Sequence, residues 1–268
     1  MFNKHPKGLI AAALANLGER FGFYTMMAIL VLFLQAKFGM NGKEAGFIYS
    51  TFYFSIYILA LVGGIIADKT RNYKGTIFTG IVLMAVGYLL LAIPSKTPVD
   101  NKMLYLVITC ASLFVIAFGN GLFKGNLQAL VGQMYDNPQY ANMRDSGFSL
   151  FYMFINIGAI FAPFAAVGVR NWWLSTFGYN YDADLPALCH GQLAGTLSPE
   201  ATETYHTLVT KASTAPVQDY TAFASDYLNV FTTGFHYAFG VAIIAMAISL
   251  TIYWLNKKNF PDPSKKTV

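Results

Sequence analysis

Charge is scarce in this sequence. Charged residues occupy 12% of 268 positions, about half the ~25% of a typical soluble domain. With 55% hydrophobic residues and a mean hydropathy of +0.45, that scarcity implies a membrane protein and not a soluble one. Metal-ligand spacing is missing too: His5, His190, His206 and His236 are scattered, so no metal site is expected, and a lone histidine is more often structural than a ligand. No nucleophile–base pair or phosphate-cradling loop stands out, which gives an enzyme reading no support and leaves the catalytic set empty. Cysteine is limited to Cys110 and Cys189. A disulfide between them stays open; Cys110 reads as a small core residue and Cys189 as a free thiol.

What the chain has in plenty is long apolar runs. They place membrane spans at about 8–36, 46–67, 76–93, 103–133, 147–169 and 230–255. The fold expected is therefore all-α, six transmembrane helices forming one bundle. Lys4, Lys7, Lys69, Arg71, Lys74, Arg144, Lys257, Lys258, Lys265 and Lys266 fall on one side of these spans. Lys37, Lys43, Lys96, Lys102, Arg170 and Lys211 fall on the other. The positive-inside bias then puts both termini in the cytoplasm of a multi-pass protein of the cell (inner or plasma) membrane. The net charge of +5 is a topology signal, and no nucleic-acid partner is expected. The first span is too long, and too charged at its middle, for a cleaved signal peptide. Four segments follow: 1–169 with helices 1–5, an extracytoplasmic insertion at 170–229, the sixth helix at 230–256, and a cytoplasmic tail or interdomain linker at 257–268. The insertion is acidic and carries Pro186, Pro199 and Pro216. Short helices are expected around 199–213 and 218–229, in a segment that is a lid, a partner surface or a decorated loop.

Within the apolar runs, Glu19, Arg20 and Lys124 are out of place. Charge at membrane depth is costly and marks a transport path unless paired or lining a cavity. Glu19 lies 12 residues from Lys7, and Lys124 lies 12 from Asp136, which puts both ~18 Å from the same side of the bilayer. A carboxylate and an ammonium at matched depth can pair. Around them, Asn16, Arg20, Phe23/Tyr24 and Met27 share one helical face; Tyr49, Tyr53 and Tyr57 form a second stripe, and Ser149, Tyr152 and Asn156 a third. A cavity lined this way suits a zwitterion with a carboxylate, an ammonium and amide edges. Gly119, Gly121 and Gly125, and Gly158-x-x-x-Ala162, read as close helix contacts.

Residues 63–75, GGIIADKTRNYKG, resemble the loop signature of the major facilitator superfamily, in which Asp68 and Lys69 would latch the inner gate. FGNGLFKGNLQALVGQMY (118–135), RDSGFSLFYMFINIGAIFAPF (144–164) and NLGERFGFYTMMAIL (16–30) are together similar to the proton-dependent oligopeptide transporter family. The resemblance runs in order from about residue 14 to 169. It implies a major-facilitator-type N-terminal bundle of two inverted three-helix repeats. It further implies a symporter that imports di- and tripeptides or similar zwitterions by alternating access, driven by the proton gradient with no cofactor. Glu19, Arg20 and Lys124 would couple protons, while Tyr24, Tyr57, Asn156, Tyr152 and Asn16 would line the substrate site.

Two positions depart from the family pattern. Its first motif glutamate is Asn16 here, and a later arginine is Met27, so coupling would rest on Glu19 and the substrate preference is open. The family has twelve or more spans, and this chain shows six. The expected partners are the lipid bilayer, protons, a peptide or zwitterionic substrate, and a missing C-terminal six-helix bundle. Alternatives are a half-transporter that dimerises, and a six-helix channel or structural subunit without alternating access.

Overall fold

The computed structural model describes residues 4–261; Lys265, Lys266 and the rest of 262–268 in the expected tail lie outside the described residues. Eight α-helices follow one another: α1 (Gly8–Phe38), α2 (Gly42–Thr70), α3 (Tyr73–Ala92), α4 (Lys102–Met134), α5 (Arg144–Thr176), α6 (Leu185–Ala194), α7 (Pro199–Ala212) and α8 (Tyr220–Leu255). Six of them, all but α6 and α7, are long and apolar enough to cross a membrane. No strand occurs among the described residues.

Short polar residues set where the helices begin. Asn41 Oδ1 accepts from the backbone N–H groups of Lys43 and Glu44 at 2.9 and 3.0 Å, and Glu44 Oε2 accepts from Asn41 N at 3.0 Å. This reciprocal cap satisfies donors that the first turn of α2 leaves free. Asn72, Asn101, Ser198 and Asp219 begin α3, α4, α7 and α8, each with a side-chain oxygen that accepts from a first-turn backbone N–H. Gly39 ends α1 at φ 62° and Gly195 ends α6 at φ 65°, a left-handed conformation that costs glycine little.

The middle of the bundle is α1, which packs on α8, α5, α2 and α4, while α3 packs on α4 and α8. Helices in lipid associate by close packing, since the surrounding chains are as apolar as the side chains. Gly80 of α3 and Gly119 of α4 show this directly: a Cβ on Gly119 would sit 2.7 Å from the Gly80 carbonyl oxygen. Gly158 brings α5 onto α1, where an added Cβ would lie 2.9 Å from Leu17 O. Gly125 departs from expectation, because its Cβ position is open space; it faces no neighbouring helix.

Contacts gather the helix ends into two rims. On one, His5 Nδ1 meets the Tyr135 hydroxyl at 2.8 Å and Tyr253 donates to Lys74 O at 3.1 Å. On the other, Lys37 Nζ donates to Ser95 O at 2.5 Å, Lys96 O at 3.1 Å and Thr97 Oγ1 at 2.8 Å. His236 Nδ1 donates to Leu91 O at 2.6 Å on that same rim. The insertion, with α6 and α7, belongs here as well, since His190 Nε2 reaches Ala36 O at 2.7 Å. The helix expected over 218–229 is the first part of α8, and α6 was not anticipated. Cys110 is exposed on α4 where a core residue was expected, and Cys189 is a buried free thiol.

Candidate functional site

Glu19 and Arg20 are neighbours in the middle of α1, the most enclosed helix. Adjacent residues point in different directions from a helix, yet both side chains are long and share one dry environment. They curl toward each other into a bidentate pair. Arg20 Nε donates to Glu19 Oε2 and Arg20 Nη2 to Glu19 Oε1, each at 2.5 Å. Glu19 is 0% and Arg20 4% exposed. A carboxylate and a guanidinium this deep hold their charges only by neutralising each other and filling their hydrogen-bonding positions. Asn120 of α4 completes the set, donating Nδ2 to Glu19 Oε1 at 2.7 Å. The guanidinium carbon also lies 4.6 Å from the Phe23 ring centroid and 5.9 Å from that of Tyr24, where the ring faces add to its stabilisation.

The partner of Glu19 is therefore on its own helix. The sequence suggested that Glu19 and Lys124 can pair at matched depth; the structure closes the pair with Arg20 instead. Arginine offers two parallel N–H donors that match a carboxylate, and it sits one residue away. Lys124 is half-buried on α4, with Nζ 5.6 Å from the Tyr57 ring centroid. It remains close enough to Arg20 and Glu19 for their charges to act on it.

The other expected lining residues separate into two groups. Asn16 is buried at 3% exposure, and Tyr24 is half-buried. Tyr57 and Tyr152 are 52% and 46% exposed, and Asn156 is exposed on α5. The tyrosines of α2 form a ladder, with Tyr49 stacked on Tyr53 and the Tyr57 hydroxyl donating to that of Tyr53 at 3.1 Å. Such a row of open phenols beside an ammonium offers hydrogen bonds and ring faces to a ligand. At the end of α2, Asp68 accepts from the Tyr73 hydroxyl, and Lys69 is exposed.

Several polar groups escaped the sequence reading. Asn120 is one helical turn before Lys124 on the same face, a spacing that marks it in retrospect. Among the described residues, the Tyr88 hydroxyl and Asn120 Oδ1 are buried without hydrogen-bond partners, and Tyr88 lies within electrostatic range of Glu19 and Arg20. Lys37 and Arg170, counted among the charges of one side of the spans, are buried, at 1% and 4% exposure. Arg170 stacks on Tyr181, its guanidinium carbon 3.5 Å from the ring centroid.

A model of the POT family (PTR2) matches residues 74–267. The peptide transporter YePEPT of Yersinia enterocolitica subsp. palearctica serotype O:3 (strain YE-P4) is 34% identical over 185 residues, 67% of this chain and 34% of that relative. Dipeptide and tripeptide permease A of Enterobacter sp. (strain 638) is 34% identical over 179 residues, 66% of this chain and 32% of its own length. Among solved structures, a POT family transporter in complex with 5-aminolevulinic acid superposes with a TM-score of 0.61 at 25% identity, covering 95% of this chain and 39% of that one. The chain thus spans about a third of the length of the curated relatives it matches.

Proposed function

The chain belongs to the POT family, and from that premise we propose that it is the N-terminal six-helix bundle of a proton-coupled symporter for small peptides or similar zwitterions. One observation carries the reading: a buried Glu19–Arg20 pair beside a half-buried Lys124 and a row of open tyrosines. Two of the relatives that match are transporters of peptides by name, and a solved member is described with 5-aminolevulinic acid, itself a small zwitterion. Those names support the substrate class proposed here.

Coupling follows from the electrostatics of the pair. When Glu19 takes up a proton, Arg20 loses its counter-charge in a dry site. An uncompensated buried charge costs on the order of 3–5 kcal/mol, so the guanidinium gains by moving to another anion. A substrate carboxylate held by Arg20 and Lys124 is that anion, while Tyr24, Tyr57, Tyr152 and Asn156 take its remaining polar edges. In this scheme a second six-helix bundle closes the cavity over α2 and α5, and alternating access moves the two bundles against each other. Asp68 and Lys69 at the end of α2 serve as an inner gate latch. Both termini lie on the cytoplasmic side of the cell membrane, the proton gradient supplies the energy, and no cofactor takes part. Asn16, buried where the family pattern has a titratable group, leaves Glu19 as the proton carrier of this helix.

The experiment is uptake by the Glu19→Gln variant in the complete transporter. Gln keeps the size and removes the titration, so proton-driven accumulation is expected to vanish while exchange of substrate across the membrane persists. Retained uphill accumulation by that variant contradicts the coupling role.

A further inference from the structure

Resting on the reading of Glu19 as proton carrier, we propose that Asn120 is a positioning residue that hydrogen-bonds the Glu19 carboxyl group in both of its protonation states, by turning its side-chain amide. The amide donates to that carboxylate from a neighbouring helix, Nδ2 to Oε1 at 2.7 Å. Its other end, Oδ1, is buried with no hydrogen-bond partner among the described residues. A buried amide oxygen left unbonded is costly, and here it belongs to the residue whose nitrogen holds the proton carrier.

The chemistry of the amide accounts for that cost. Ionised Glu19 only accepts hydrogen bonds, so it takes the Asn120 N–H. Protonated Glu19 carries an O–H donor and needs an acceptor. Rotation of the Asn120 amide by half a turn presents Oδ1 in place of Nδ2. The turn breaks no hydrogen bond at Oδ1, and besides the bond to Glu19 it gives up only a weak contact of Nδ2 with Met84 Sδ at 3.9 Å. The proton balance is simple: one proton arrives on a Glu19 oxygen, the carboxylate becomes a neutral acid, and its new O–H donates to Asn120 Oδ1.

Among the described residues, Asn120 is the neutral group that hydrogen-bonds this carboxylate; the Tyr88 hydroxyl, which can also accept, has no hydrogen bond to it. Titratable groups near Glu19 are Arg20 and Tyr24 on α1, Tyr88 on α3 and Lys124 on α4, with Tyr57 of α2 beyond the lysine. Arg20 and Lys124 in their charged forms are donors only and cannot accept from a protonated acid. α5 meets this turn of α1 through Gly158, and α8 meets it through Ser249, whose hydroxyl donates to Ala15 O at 2.6 Å. Neither of these titrates.

The test is infrared difference spectroscopy, acid minus neutral, on the complete transporter reconstituted in lipid. Wild type, Glu19→Gln, Asn120→Ala and Asn120→Ser are compared. A protonated-carboxyl band that disappears in Glu19→Gln belongs to Glu19. The expected result is a side-chain amide carbonyl change that accompanies that band in wild type and is lost in all three variants, while both Asn120 variants keep the Glu19 band. Should Asn120→Ala fail to insert, Asn120→Ser gives the same readout with a polar group in the space. A Glu19 band without the amide change in wild type, or an amide change that persists in both Asn120 variants, overturns the inference and leaves the role of Glu19 standing. Absence of any Glu19-dependent band overturns the coupling reading, and the inference with it.

Discussion

Arg20, and not Lys124, holds Glu19 because a guanidinium one residue away delivers two donors in a fork, whereas an ammonium on α4 delivers a single point of charge. That outcome depends on side-chain reach within one helix, which periodicity does not encode. Depth was legible: counting residues from the helix ends put Glu19, Arg20 and Lys124 inside the apolar layer. The choice of partner was not, and neither was Asn120, an uncharged residue among the small residues of its helix. Lys124 beside the Tyr57 ring is the cation left nearest the open tyrosines. Lys124→Ala is expected to lower substrate uptake by at least tenfold with normal membrane insertion, about the effect of losing one charge-assisted contact. Near-normal uptake refutes it. Arg20→Lys keeps the charge and loses the fork, so it is expected to weaken proton-driven uptake while surface expression, measured by blotting, is unchanged.

Among the elements, the α6–α7 insertion is the one whose structure the sequence conveyed least. The run Leu185–Ala194 is short, opens with a proline and sits among acids, so it gave no helical stripe; the helix forms with Pro186 in its first turn and Gly195 as its left-handed stop. Tyr220–Leu255 contains no proline and runs through Gly234 and Gly240 as one helix, so the short helix expected over 218–229 continues without a break into the sixth span. The insertion is fastened to α1 by His190, whose ring reaches Ala36 O. Burial lowers the proton affinity of His190 below the ordinary value of 6.5; the bond to Ala36 opposes the shift and the charge of Lys102 adds to it. An imidazole kept neutral in the docked state and free to charge when released stabilises docking above pH 6.5. That contribution fades as pH falls through the lowered value. Protection factors for the amides of residues 185–212, exchange rates corrected for the pH dependence of the intrinsic rate, are accordingly expected to fall between about pH 7.5 and about pH 5, and His190→Gln is expected to remove that fall. Protection factors that are equal at both pH values contradict the fastening. Burial also pushes the Cys189 thiol up to about 12, with the bond from Tyr205 opposing it. Maleimide in detergent is therefore expected to label exposed Cys110 and to spare Cys189 until the insertion unfolds.

For the molecule as a whole, six spans were plain in the sequence because apolar runs of membrane length have few other uses. Which faces those helices leave uncovered was not plain, since a tyrosine stripe reads alike as packing or as cavity. The structure leaves Tyr53, Tyr57 and Phe54 of α2 and Tyr152, Phe161 and Phe164 of α5 open. Lipid chains can cover the phenylalanines, but the tyrosine hydroxyls on these two helices need polar partners that lipid tails do not supply. Purified alone in detergent, the chain is expected to self-associate; a stable monodisperse monomer in light scattering argues against a second bundle covering these faces. Peptide and proton move together in a symporter and independently in a channel. The direct measurement is the external pH of a weakly buffered suspension of proteoliposomes holding the complete transporter, followed after a dipeptide is added. Saturable, peptide-dependent alkalinisation that Glu19→Gln abolishes is the result expected of the symporter. Peptide flux that rises linearly with concentration and moves no protons contradicts it, and marks the bundle as part of a channel.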